Sequence, residues 1–120
     1  MKIEYLENEN LVLLTTTEDL TSDSIKYLIQ KSVAFRNEHN CNHILFDHRG
    51  CRVHAEIIEI HQIAKNIKDF GFTFSHAAAV VYNVDSKNYQ FADTVVHNWA
   101  AHAIQFFDDF EEAKNWLVNR

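Results

Sequence analysis

The stretch His43-Ile44-Leu45-Phe46, followed directly by Asp47-His48-Arg49-Gly50, decides the predicted fold. Four apolar or half-apolar residues closed by charged residues and a glycine are typical of a buried strand that runs into a tight loop. In an open α/β sheet, the carboxyl ends of the strands are where polar groups meet a ligand or partner. We therefore predict that Ile44 to Phe46 form an interior strand, and that the loop from Asp47 to His54 lies at the surface.

A β-hairpin and a helix are predicted before this strand. Residues 2–6 alternate polar and apolar side chains, a polar turn follows at 7–10, and residues 11–17 are apolar and then β-branched. The segment Thr21-Ser22-Asp23-Ser24 offers several N-cap residues for a helix that weakens at 37–40.

Strands and helices alternate after the central strand. The predicted elements are a helix over about 55–69 that stops at Gly71, a strand over 77–82, a helix capped by Asp85 or Ser86, a strand over 102–107, and a final helix that starts at Asp109. The alanines of the 77–82 strand indicate that a helix packs closely over it. Because strand–helix–strand alternation requires parallel pairing with right-handed crossovers, the predicted fold class is α/β. We expect a single-layer mixed sheet of five strands with four helices, in the order β-β-α-β-α-β-α-β-α, in one domain over residues 1–120.

Composition and charge exclude several classes of protein. The formal net charge is −6 and the basic residues are scattered, which argues against nucleic acid and anionic membranes as partners. The longest apolar runs fall far short of the roughly 20 residues that a membrane span needs. Residues 1–5 do not have the pattern of a signal peptide, and Cys41 and Cys51 form no CxxC motif. The sequence therefore predicts a cytoplasmic protein with reduced thiols.

The element order and the run from Ile44 to Gly50 resemble the STAS-like domains, and within them the SpoIIAA-like group of small stand-alone proteins. The segment from Ile104 to Leu117 is similar to the closing strand and helix of that group. This resemblance implies a protein-interaction or small-ligand module rather than an enzyme. In the anti-sigma-factor antagonists of the family, a partner kinase phosphorylates a serine just after the central strand. The corresponding segment here, Cys51 to Glu56, contains no Ser or Thr, so we do not expect the phosphoswitch.

The loop after the central strand supplies the candidate site. We expect Asp47 to accept backbone N–H bonds that close the loop, and Arg49 to pair with an acidic surface group. A nucleophilic Cys–His arrangement with Asp47 as its orienting group is also conceivable, and it requires Cys51 within hydrogen-bond distance of His48 or His54. No catalytic residue, cofactor or metal ligand is assigned. The candidate partner- or ligand-binding residues are Asp47, His48, Arg49, Cys51 and His54.

The glycine, histidine and cysteine residues bear on two other kinds of site, for phosphate and for metal ions. The chain has only two glycines, which excludes phosphate-binding loops and dinucleotide fingerprints. His39, Cys41 and His43 alternate and would share one face of a strand, but no fourth zinc ligand is visible. His54 and His61 fall on the second predicted helix, two turns apart, which is too far for them to share one metal ion.

Two functions remain open from the sequence. The first is a non-enzymatic interaction or regulatory module that meets a protein partner through the loop, and a homodimer is compatible with it. The alternative is a small-molecule or lipid-binding protein with an apolar cleft between sheet and helices. Phe70, Phe72 and Phe74 alternate along the chain and would mark such a site if exposed. An enclosed cavity of several hundred cubic ångströms favours the alternative, and a closely packed interior favours the interaction module.

Overall fold

The computed structural model describes residues 1–71, 77–83 and 104–120. Its elements are β1 (Lys2–Leu6), β2 (Leu11–Thr15), α1 (Ser22–Glu38), β3 (His43–Asp47), α2 (Ile57–Lys65), a 3-10 helix (Ile67–Phe70), β4 (Ala77–Val81), β5 (Ile104–Phe107) and α3 (Phe110–Val118). The helix predicted after Asp85 lies outside the described residues, as do the first two residues of the predicted last strand. The described residues thus contain three of the four predicted helices.

The strands form one mixed five-stranded sheet in the order β1-β2-β3-β4-β5. β1 runs antiparallel to β2, and each later pair of neighbours is parallel. The register sets Leu45 of β3 between Leu13 of β2 and Ala79 of β4. The predicted α/β class is therefore confirmed, and Ile44 to Phe46 form an interior strand.

Helices cover both faces of this sheet because its central strands are apolar on both sides. Phe46 belongs to the face that packs under α1 and α2, where Ile63 of α2 joins the same core cluster. Leu45 and Ala79 belong to the opposite face, where they pack with Leu117 of α3. The small side chains of β4 are thus covered closely by a helix, as the alanine run predicted.

Local side-chain chemistry fixes where α1 and α3 begin. Thr21 is the N-cap of α1, and a reciprocal capping box joins Thr21 and Ser24. Asp109 is the N-cap of α3, where its side chain accepts from the Glu111 N–H at 2.9 Å. No helix in the described part of the chain is long and apolar enough to cross a membrane.

Several predicted boundaries are wrong. α2 begins at Ile57 and ends at Lys65, and a 3-10 helix replaces the predicted last turn, so the expected helix over 55–69 is shorter at both ends. Its start is delayed because Val53 forms a parallel β-bridge with Leu20, which keeps this segment extended. His54 therefore precedes the helix. β2 ends at Thr15 and not at residue 17, and Asp47 belongs to β3 and not to the loop.

Candidate functional site

The carboxyl ends of β2 and β3 carry two loops that are bonded to each other. We call residues 16–20 after β2 and residues 48–54 after β3 the loop pair. The Thr16 N–H donates to the Asp47 carbonyl at 3.2 Å. Further along, the Leu20 N–H donates to Arg52 and the His54 N–H donates to Leu20, both at 2.7 Å. These backbone bonds continue the parallel pairing beyond the strands, so the two loops form one structural unit.

Asp19 strengthens this unit from the solvent side. One of its carboxylate oxygens accepts from the Arg52 N–H at 3.3 Å, and the other lies 2.9 Å from the His54 Nε2. The hydrogen bond from His54 lowers the pKa of Asp19. Both side chains are more than half exposed, so the pair is accessible from outside.

Asp47 and Arg49 form a bidentate ion pair at the start of the second loop. The Arg49 Nε donates to Asp47 Oδ1 at 2.9 Å and the Nη2 donates to Oδ2 at 2.7 Å. The Arg49 N–H also donates to Asp47 Oδ1, at 3.3 Å, which is the loop-closing bond expected from the sequence. The hydrogen bonds from the guanidinium lower the pKa of Asp47. Arg49 therefore pairs with Asp47 itself and not with a separate surface group.

The other side of the Arg49 guanidinium faces an aromatic ring. Its Cζ lies 5.1 Å from the centroid of the Phe110 ring in α3, within cation–π range. The Arg49 side chain is nevertheless 52% exposed, while that of Asp47 is 11% exposed. Arg49 thus presents a cation at the surface that is held in place from two sides.

His48 is buried although it lies in the loop. Its N–H donates to the Val81 carbonyl of β4 at 2.8 Å, and its ring centroid lies 5.7 Å from that of Phe46. Burial lowers the pKa of His48 to about 4, so the imidazole is neutral at pH 7. His48 consequently supports the loop from beneath and does not lie at the surface.

Cys51 is also buried, and its thiol donates to the Thr16 carbonyl at 2.9 Å. Burial raises the pKa of this thiol, which is the reverse of what an activated cysteine nucleophile requires. The position of Cys51 therefore gives no support to the Cys–His hypothesis. Its hydrogen bond adds a further tie between the two loops.

The five candidate residues divide into two groups. Arg49 and His54 are exposed, whereas Asp47, His48 and Cys51 are buried and hold the loops in place. The sequence interpretation missed Asp19 and the exposed Arg52. A signal for Asp19 was present, since it follows a predicted strand parallel to β3 and so had to reach the same edge of the sheet.

Cys41 and His39 of the histidine–cysteine triplet have different contact partners. The Cys41 thiol is buried and donates to the carbonyls of Asn10 and His43, at 3.0 and 3.2 Å. The His39 ring stacks on Tyr5 with centroids 4.7 Å apart. Among the described residues, no group of three His, Cys, Asp or Glu side chains could hold a metal ion.

A groove of about 290 Å³ lies between α1 and α2. None of its lining residues belongs to a strand, whereas the lipid-binding hypothesis expects a cleft between sheet and helices. Phe70 contributes to it, while Phe72 and Phe74 lie outside the described residues. The lining residues are Ser22, Lys26, Glu59, Gln62, Ile63, Asn66 and Phe70.

Comparison of the chain with protein-family models, with curated proteins and with solved structures gives no match. The resemblance to the STAS-like domains therefore stays a prediction from the sequence.

Proposed function

We propose that this chain is a non-enzymatic, cytoplasmic STAS-like module for protein interaction or regulation, and that the loop pair is its binding surface. It lacks the serine that a kinase phosphorylates in the anti-sigma-factor antagonists, so its binding is not switched in that way. The exposed side chains of Arg49, Arg52 and His54, with Asp19 beside them, would contact the protein partner.

The bridge between Leu20 and Val53 is the observation that carries this proposal. The two backbone hydrogen bonds around it are 2.7 Å long and join loops from different strands. A surface that is ordered before binding loses less conformational entropy when a partner docks. The hydrogen bonds between the two loops therefore support a binding surface that is ordered before the partner docks.

The chemistry of the surface also favours a protein partner. Arg49 and Phe110 lie together at its border, and arginine and aromatic side chains are enriched in protein interfaces. The exposed groups of this surface include the cations of Arg49 and Arg52 and the carboxylate of Asp19, which suits a partner segment that carries both charges. The overall charge of −6 adds an attraction for partners with a positive face.

The order of the strands favours a surface over a ligand cleft. Doubly wound α/β proteins bind small ligands where the strand order reverses and adjacent crossovers leave on opposite faces. From β2 to β4 the order advances without reversal, and α1 and α2 share one face. No such crevice is created between β2, β3 and β4.

The alternative of a small-molecule or lipid-binding protein receives no support from the groove between α1 and α2. Lys26, Glu59, Gln62 and Asn66 contribute charged and amide groups to its lining. An apolar ligand would leave these groups without water, which costs free energy.

Affinity capture with a loop variant tests the proposal. The tagged chain and the double variant Arg49→Ala, His54→Ala are exposed to extract of the native host, and the bound proteins are quantified by mass spectrometry. The matched control is Lys31→Ala, His61→Ala, which removes one cation and one histidine from α1 and α2. We expect a specific protein whose recovery falls roughly tenfold or more in the loop variant and is unchanged in the control. Equal recovery of every bound protein by all three chains would show that the loop pair is not the binding surface.

A further inference from the structure

β1 is the first strand of the sheet and forms one of its edges. It pairs with β2 through all of its five residues, from Lys2 to Leu6, and the register contains no bulge. No strand in residues 1–71, 77–83 or 104–120 pairs with its other side. The chain also contains no proline, which is a common means of blocking an edge strand. The outer N–H and C=O groups of β1 are therefore positioned to accept another strand.

The charges on this edge complement one another. Lys2 and Glu4 lie on the same face of β1, where the Nζ and Oε1 atoms are 3.6 Å apart. Their side chains are 72% and 38% exposed. Edge charges of one sign prevent two copies of a strand from pairing. Opposite charges placed symmetrically about Ile3 have the reverse effect, because an antiparallel copy brings each charge opposite its counter-ion.

We propose that β1 pairs antiparallel with β1 of a second copy of this chain, about a two-fold axis at Ile3. In this register Lys2 of each copy lies opposite Glu4 of the other, so the contact contains two identical ion pairs. On the opposite face Ile3 meets its symmetry mate, and Met1, which is 52% exposed, lies opposite Tyr5. The two sheets become one continuous sheet across the dimer.

The charge pattern selects this register over its neighbours. Moving the axis by one residue in one direction places Lys2 opposite Lys2, and moving it in the other direction places Glu4 opposite Glu4. Like charges directly opposite one another destabilise a strand pair. In an antiparallel ladder, directly opposite residues form either a hydrogen-bonded or a non-hydrogen-bonded pair. Ile3 and its symmetry mate can form a pair of either kind, so the proposed register is compatible with both.

The proposed dimer is independent of the proposed binding function. The two-fold axis reverses the strand direction from one copy to the other, so the two loop pairs lie at opposite ends of the joined sheet. Each copy would keep its loop pair open to a partner.

Charge exchange within β1 gives a direct test by sedimentation equilibrium. Lys2→Glu leaves two carboxylates on the edge, and Glu4→Lys leaves two ammonium groups. We expect each variant alone to raise the dimer dissociation constant roughly tenfold or more, because both ion pairs of the dimer become repulsive. An equimolar mixture of the two variants should associate at least as tightly as the original chain, since each Glu then faces a Lys. The double variant Lys2→Glu, Glu4→Lys should also restore self-association.

Lys31→Glu on α1 is the matched control, because it makes the same charge change away from β1. Thermal melting by circular dichroism checks that every variant is folded. A wild-type chain that stays monomeric at millimolar concentration overturns the proposal. A dimer whose dissociation constant is the same in the original chain and in the charge variants of β1 also overturns it. So does a mixture of the two single variants that does not associate.

Discussion

Asp47 and His48 are neighbours in sequence but have opposite surroundings, because side chains alternate between the two faces at the end of β3. His48 lies two residues after Phe46, and its buried ring lies next to the Phe46 ring, which belongs to the core under α1 and α2. Asp47 follows Leu45 on the other face and reaches the Arg49 guanidinium. His48 is therefore a neutral buried ring, and Asp47 directly before it is a carboxylate whose ionised form is favoured.

Arg49→Ala is expected to destabilise the protein more than Arg52→Ala does. The first change leaves the nearly buried Asp47 carboxylate without its bidentate donor, at a cost of about 1–2 kcal/mol after allowance for the exposure of Arg49. Arg52 is exposed, and its described contacts to Asp19 and Leu20 are made by the backbone, so its loss should change the free energy of unfolding by less than about 0.5 kcal/mol. Urea denaturation measures both values. Equal values for the two variants would contradict the assigned role of Arg49.

The pKa of His48 predicts how stability depends on pH. The folded chain holds this pKa at about 4, below the ordinary value of 6.5, so the unfolded chain binds more protons between these values. The stabilisation is fully present above pH 6.5 and is lost as the pH falls towards 4, which amounts to about 2 kcal/mol between pH 7 and pH 5. His48→Asn should flatten this dependence. Urea denaturation at the two pH values measures it in each chain, and an unchanged pH dependence in the variant would show that His48 is not the group responsible.

The two glycines differ in their backbone conformation and in the space around them, and only Gly71 is required by the contact between two helices. Gly71 ends the 3-10 helix with φ of +96°, and a Cβ there would lie 2.8 Å from the Val33 Cγ1 of α1. Its carbonyl also accepts from the buried Arg36 at 3.2 Å, which ties this helix end to α1. Gly50 has ordinary backbone angles, and a Cβ there would meet Thr17 at 3.4 Å.

Gly71→Ala should therefore lower the free energy of unfolding by about 2 kcal/mol, because the new methyl group is both strained and overpacked. Gly50→Ala is the matched control and should change stability by less than about 0.5 kcal/mol. Chemical denaturation of both variants distinguishes them. A Gly71→Ala chain as stable as the Gly50→Ala chain would show that this helix end has no close contact with α1.

An element could be predicted where neighbouring residues in the sequence determine it, and could not where a contact with a distant segment does. β3 and β4 are apolar runs bounded by polar residues, and Thr21 and Asp109 are local caps, so these features were predictable. The start of α2 was not, because the bridge between Leu20 and Val53 joins segments far apart in sequence. The burial of His48 was predictable in principle from its spacing to Phe46, but it required β3 to extend to Asp47.

At the scale of the whole molecule, the sheet brings the candidate site together. Parallel pairing of β2 with β3 sets Thr15 beside Asp47, which forces the loops that follow to begin side by side. β4 supplies the Val81 carbonyl that holds the His48 N–H, and α3 supplies the Phe110 ring beside Arg49. The sequence could predict the edge at which these residues meet, but it could not predict which of them the neighbouring elements would bury.

Hydrogen exchange of the Leu20 and His54 amides, followed by NMR, tests the central claim most directly. The claim is that the loops after β2 and β3 are fixed to each other by the Leu20 N–H to Arg52 and His54 N–H to Leu20 hydrogen bonds. We predict that both amides exchange at least roughly a hundredfold more slowly than in an unstructured chain, as the amides within β3 do. Exchange of Leu20 and His54 at the unstructured rate, with β3 still protected, would show two independent loops and would contradict the account.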